Sequence, residues 1–210
     1  MRDLYVMTAD ADAEAVLRRV LQRHQSLGIR KVDVEVERYV GRDAGVVKEG
    51  PALLKLRKGQ FAKVMLIWDH HGSGKEQEPA AQVQQHISAK MENESWSGHY
   101  LAQVLVPELE EWLWHNPEAI GKHLQVDEPL LQEWQQQFAA KKEMEVVDCR
   151  KRYPKELFFY CLQRKRNHNP RPEDYRKIAG IASLRAWQKS ESFKRIVILL
   201  KEWFPDANVK

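Results

Sequence analysis

The sequence predicts an α/β fold: a sheet of about four mostly parallel strands flanked by helices, followed by an all-helical C-terminal part. Three observations carry that expectation. The stretch Phe61 to Gly74, FAKVMLIWDHHGSG, holds an unbroken apolar run from Val64 to Trp68, long enough for a strand and too short for most helices. Continuous rather than alternating apolar character marks a strand covered on both faces, as in a parallel sheet between helices. Strand-like and helix-like segments then alternate through residues 1–116, and from Pro117 onwards the periodic segments all have helical spacing.

Taken in order, Leu4 to Met7 is a short apolar strand. In AEAVLRRVLQRH, Val16, Leu17, Val20 and Leu21 form the stripe of an amphipathic helix, with Asp12 as its expected N-cap and Gly28 at its end. Between Lys31 and Val40, Val32, Val34 and Val36 alternate with Asp33, Glu35 and Glu37, the period of a half-buried strand near a sheet edge. Gly41 to Gly50 reads as a Gly-rich turn before a short helix, Pro51 to Arg57, which returns the chain to the central strand. A peripheral helix follows from Pro79 to about Lys90, and Tyr100 to Val106 supplies the last strand. It runs into PELEEWLWHNP, where Pro107 suits a first helical turn and Glu108, Glu110 and Glu111 put negative charge at the helix N-terminus.

Beyond lie helices near Pro117 to Leu124, Glu128 to Ala140, Pro154 to Gln163, Glu173 to Ala182 and Ser190 to Phe204. KEMEVVDCRKRY and NHNPRP read as the loops between them. The expected division is an α/β domain over residues 1–116 and a basic helical region over 117–210, packed on or beside it.

The 210 residues carry a net charge of +4 and 43% hydrophobic residues, ordinary for a globular core. Charge is unevenly spread: Lys141 to Arg195 holds 16 Lys and Arg against 7 Asp and Glu. Such a back half attracts phosphate backbones or acidic partners, and it also describes a solvated helix surface. Cys149 and Cys161 lack metal-binding or redox spacing and read as reduced thiols. The N-terminus has no apolar core of secretory length, and no segment approaches a bilayer span. A cytoplasmic protein without membrane contact is expected.

Acids follow three predicted strands: Asp10, Asp12 and Glu14 after the first, Asp69 after the central one, Glu110 after the last. Parallel strands send those ends to one rim of the sheet. Helix capping explains each acid singly; a shared hard cation, Mg²⁺ or Mn²⁺, explains them together. Such an ion neutralises phosphate charge and activates water for phosphodiester cleavage. GSGK, Gly72 to Lys75, follows a strand as a phosphate loop does, but Glu76 stands where the hydroxyl residue belongs. Trp68 reads as core rather than as a base-stacking platform. Tyr153, Tyr160 and Tyr175 lie among Arg150, Lys151, Arg152, Lys155, Arg164, Lys165 and Arg166, a mixture suited to single-stranded nucleic acid.

TADADAEAVLRRVL, LIWDHH, VLVPELEEWLW, DCRKRYPKELF, DYRKIAGIASL and KSESFKRI together resemble a Toprim-like family of uncharacterised bacterial proteins, related to the nuclease domain of overcoming-lysogenization-defect proteins. The similarity spans most of the chain in the right order, each motif being short. It implies a Toprim α/β sheet, a metal-dependent site for cutting or rejoining DNA or RNA, and a link with defence against foreign DNA alongside other defence proteins. Where the family has Glu-Gly after strand one, this chain has Thr8-Ala9, with Asp12 and Glu14 at the later acidic positions. The family's Asp-x-Asp falls on Asp69 and His71, and its Glu-x-Trp phrase on Glu110 and Trp112. The resemblance thus implies Asp69 and Glu110 as metal ligands, His71 and Asp12 completing the shell, and Asp10 or Glu14 handling the attacking water, with Asp69 serving catalysis as well. Imidazole at His71 shifts preference from Mg²⁺ towards Mn²⁺, Zn²⁺ or Fe²⁺. The two substitutions leave a second expectation open, a catalytically degenerate Toprim domain that binds nucleic acid or a partner protein within a defence complex.

Overall fold

The computed structural model describes residues 1–206, and its centre is one parallel sheet. The strands are β1 (Arg2–Thr8), β2 (Val34–Arg38), β3 (Phe61–Asp69) and β4 (Tyr100–Leu105), arranged β2-β1-β3-β4. Every adjacent pair is parallel, with Thr8 opposite Ile67 and Asp69 opposite Leu105. Parallel neighbours need crossovers. These are α1 (Ala11–Gln22) with the single turn α2 (His24–Leu27), then α3 (Arg42–Lys55), then α4 (Ala80–Asn93). The half-buried β2 lies at one edge, as its alternation predicts.

The unbroken apolar run in β3 is explained by its two covered faces. Val64, Leu66 and Trp68 pack with Tyr5 and Met7 against Val46, Leu54, Val83 and Ile87 of α3 and α4. Met65 and Ile67 face the other way, with Leu4 and Val6, onto Val16, Leu17 and Val20 of α1. Trp68 is therefore core. The second face continues without a break into the C-terminal helices, whose Leu157, Phe158, Ile178 and Leu200 belong to the same apolar cluster.

Those helices are α5 (Glu110–Trp114), α6 (Pro117–Leu124), α7 (Glu128–Lys141), α8 (Val146–Arg152), α9 (Pro154–Arg166), α10 (Pro172–Ile181), α11 (Leu184–Trp187) and α12 (Glu191–Trp203). In α12, Phe193, Ile196, Val197 and Leu200 form one buried stripe at helical spacing. Phe193 meets Trp112 and Trp187 at ring-centroid distances of 5.0 and 5.4 Å, which ties α12 and α11 to α5. Both cysteines are buried thiols. Among the described residues no helix is long and apolar enough to cross a membrane.

Several local expectations are corrected. Asp10, not Asp12, caps α1, accepting from the Ala13 N–H at 2.8 Å. Gly41 to Gly50 is not a turn, because α3 runs through it with Pro51 inside. Gly50 is where α3 meets the sheet: a Cβ there would lie 2.7 Å from Leu66 Cδ1. The helix after β4 begins at Glu110, with Pro107 outside it behind a cis Val106–Pro107 peptide. KEMEVVDCRKRY contains α8, held by burial of Cys149 and by Arg150, whose guanidinium stacks 5.6 Å from the Trp114 ring.

Candidate metal centre

β3 ends on Asp69, and two bonds fix that residue. Its N–H donates to Asp43 Oδ1 at 2.8 Å, and its own Oδ1 accepts the Leu109 N–H at 3.0 Å. Asp43 comes from the first turn of α3. β4 ends one strand over, and the Val106-Pro107 turn delivers Glu108 and Glu110 beside Asp69. Oxygens of Asp69, Glu108 and Glu110 lie within 4.8 Å of one another, all three residues being buried. Burial of three acids at that separation needs compensation, since carboxylates do not pack together unaided.

Part of the compensation comes from the C-terminal helices. The Tyr175 hydroxyl on α10 donates to Glu110 Oε1, and Lys155 in the first turn of α9 places Nζ 3.9 Å from the same oxygen. The Lys155 N–H points at Glu108 Oε1, at 3.4 Å, so the positive end of α9 also faces the acids. Glu108 Oε2 lies 3.8 Å from His71 Nδ1, whose side chain is largely exposed at the rim. Glu110 Oε2 is buried with no hydrogen-bond partner.

The electrostatics record how crowded the rim is. Burial, then Asp10 and Glu110, push the Asp12 carboxyl up to about 7. Glu110 is likewise pushed to about 7, by burial first, with Lys155 opposing. Asp69 is raised by burial and by Glu110, Asp43 and Asp10, and Asp43 and Glu108 are raised chiefly by burial. Burial alone lowers the Lys155 ammonium, but Glu110, Asp69, Glu108 and Asp10 outweigh it and hold the proton on. One ammonium faces six carboxyl groups. A hard cation with oxygen ligands fits that deficit, and the unpartnered Glu110 Oε2 is an open donor of the right kind. The buried triad Asp69, Glu108 and Glu110 can hold a metal ion.

The expected site residues fall into three groups. Asp69 and Glu110 meet, with His71 at the mouth and Asp10 and Asp12 close enough to shift the buried acids. Glu14 does not join them: it is committed to Arg18 at 2.8 Å, which also donates to the Val36 carbonyl. Thr8 is fully buried and its hydroxyl donates to the Asp10 carbonyl at 3.2 Å. Glu108 and Asp43 were not anticipated. Glu108 reads in sequence as helix-terminal charge, two residues before Glu110, and Asp43 has no signal of its own because the surrounding glycines read as a turn.

The basic tail divides as well. Lys155 reaches the acids with its side chain 31% exposed. Arg150 donates twice to Gln135 Oε1, and Arg166 bonds Asp174 at 3.2 Å and the His123 carbonyl at 2.7 Å, so both brace helices. Arg164 lies on Tyr160 and Gln137. Lys151, Arg152 and Lys165 are exposed. Tyr175 is buried against Phe158 and leaves the expected aromatic surface. In the Gly72 to Lys75 loop, the Gly72 and Gly74 N–H groups both donate to Glu76 Oε1, at 2.8 and 3.1 Å. The loop thus already grips a carboxylate of its own. Comparison with protein-family models, with curated proteins and with solved structures gave no match.

Proposed function

We propose that this protein is a metal-dependent phosphodiesterase of Toprim type acting on nucleic acid, with Mg²⁺ or Mn²⁺ as its cofactor and a defence role of the kind its motifs suggest. The observation that carries the reading is the buried meeting of Asp69, Glu108 and Glu110 with one Glu110 oxygen left open. Asp69, Glu108 and Glu110 would hold a divalent ion, with His71 at the rim, and such an ion would neutralise phosphate oxygens and make an attacking water more acidic.

The remaining chemistry belongs to the chain. Asp12, poised at about 7, accepts the proton of the attacking water near neutral pH. Asp10 caps α1 and fixes the turn that carries Asp12. The Lys155 ammonium, kept charged by the surrounding acids, stands against the charge that builds on the phosphate oxygens. Tyr175 pins Glu110. The scissile phosphorus–oxygen bond breaks as the water oxygen adds, and the departing oxygen takes a proton from solvent.

Labelled DNA and RNA incubated with purified protein in Mg²⁺ or Mn²⁺ test this directly. Cleavage that needs the ion and disappears in Asp69→Asn and Glu110→Gln is expected; cleavage that persists in both variants, or none at all, removes the reading.

One observation favours a second reading, a non-catalytic domain that binds nucleic acid or a partner protein. Lys155 already supplies an internal cation 3.9 Å from Glu110. If it replaces the metal, Mn²⁺ titrated into the wild-type protein gives no binding heat.

A further inference from the structure

A groove of about 810 Å³ opens between the outer edge of the sheet and α12, with four cationic side chains, Lys151, Lys189, Lys194 and Arg195, around Val106 and Ile198. The two apolar residues are 52% and 56% exposed, so the floor is open and greasy while the rim is basic. Two carboxylates lie in the same groove. Glu111 is occupied internally, by His115 and by the Ser190 hydroxyl at 2.6 Å, and Glu191 reaches Lys194 at 3.6 Å. The cations therefore remain in excess, and they come from two separate stretches of chain, α8 and the segment that runs from Lys189 into the start of α12.

Position and shape narrow the occupant. Val106 directly precedes Pro107 and Glu108, and Glu111 follows Glu110, so one end of the groove abuts the carboxylate rim. A peptide adding as a fifth strand is disfavoured at β4, where the Val104 N–H already donates to Gln84 Oε1 at 3.0 Å and the Val104 carbonyl accepts from Gln103 at 2.7 Å. A nucleic-acid duplex keeps its base faces stacked inside and has none to lay on an apolar floor. A single strand offers bases to the floor and phosphates to the rim.

We propose that this groove binds a single nucleic-acid strand, its phosphates on Lys151, Lys189, Lys194 and Arg195, and leads it to the carboxylate rim. Its purpose there rests on the phosphodiesterase reading; the binding itself does not.

The test is fluorescence anisotropy with a labelled single-stranded oligonucleotide and the matching duplex, in EDTA so that no cutting intervenes, over a salt series. Wild-type protein binds the single strand more tightly than the duplex. Lys189→Glu/Arg195→Glu weakens single-strand binding by about tenfold or more and reduces the logarithmic salt slope by about 1.4, two phosphate contacts at about 0.7 each. Lys151→Glu/Lys194→Glu, which pairs the α8 cation with one from α12, does the same. All four are exposed side chains, and matched thermal melting curves confirm that the variants fold. Equal affinity for the duplex, or binding that survives both charge reversals, overturns the proposal even if the wild-type protein cuts nucleic acid in Mn²⁺. Groove-dependent binding without any cutting in Mn²⁺ overturns the phosphodiesterase reading and leaves the groove standing.

Discussion

Glu110 is the residue on which the centre turns. One oxygen is satisfied by Tyr175 and the other by nothing, which in a 1% exposed side chain is costly unless a proton or a cation supplies the missing partner. Glu110→Gln is expected to lower Mn²⁺ affinity by at least about tenfold in calorimetric titration, as loss of an ion ligand does. The proton alternative sets a pH dependence. Asp12 and Glu110 have folded-state values near 7, above the ordinary carboxylate range of the unfolded chain. Stability from keeping them protonated is complete at about pH 4 and is lost as pH rises through about 7. The metal-free protein in EDTA should therefore melt at a lower temperature at pH 8 than at pH 5, and Mn²⁺ at pH 8 should restore the difference. A melting temperature independent of pH and of Mn²⁺ contradicts this. Lys155→Met makes the same point from the cation's side: the buried acids lose their internal partner, costing about 3–5 kcal/mol in denaturant unfolding without metal, and Mn²⁺ recovers most of it.

At the scale of elements, what could be read from the sequence followed how far each pattern depends on neighbours. β3 was legible because a run covered on both faces needs no partner to recognise it, and β2 because alternation is local. α3 was not: glycines at 41, 45 and 50 are turn signals by themselves, and only Tyr39 packed on Gly41 and Gly45 and Leu66 packed on Gly50 explain a helix there. Missing α3 hid Asp43, whose place under Asp69 depends on that helix starting at Arg42. α8 was lost for the same reason, its helix depending on Cys149 and Arg150 finding partners in other helices. Glu108 was visible only as helix-terminal charge, which in sequence looks the same as a candidate metal ligand. α5 joins the centre to the core through Trp112, which is fully buried, packs on Trp187 and Phe193, and donates to Ser192 Oγ at 2.7 Å. Trp112→Ala should cost about 3–5 kcal/mol in urea unfolding, and because Glu110 lies two residues away, weaker Mn²⁺ binding should accompany it.

For the molecule as a whole, the charge asymmetry acquires a location. The excess of basic residues in the back half is not one surface: Lys155 serves the acidic rim, Arg150 and Arg166 hold helices together, and the rest of those among the described residues stay exposed. Saturating Mn²⁺ should raise the melting temperature of the intact chain through mass action, by about 2.7 kcal/mol of added stability at one hundred times Kd. A scanning-calorimetry trace unmoved by the ion tells against the centre.

The order in which the centre's parts occur along the chain has its own consequence. Every carboxylate of the rim lies before residue 111, whereas Lys155 and Tyr175 arrive much later. During synthesis the acids leave the ribosome first, with neither the ammonium nor the phenol that steadies them, so a nascent or prematurely terminated chain has no finished centre.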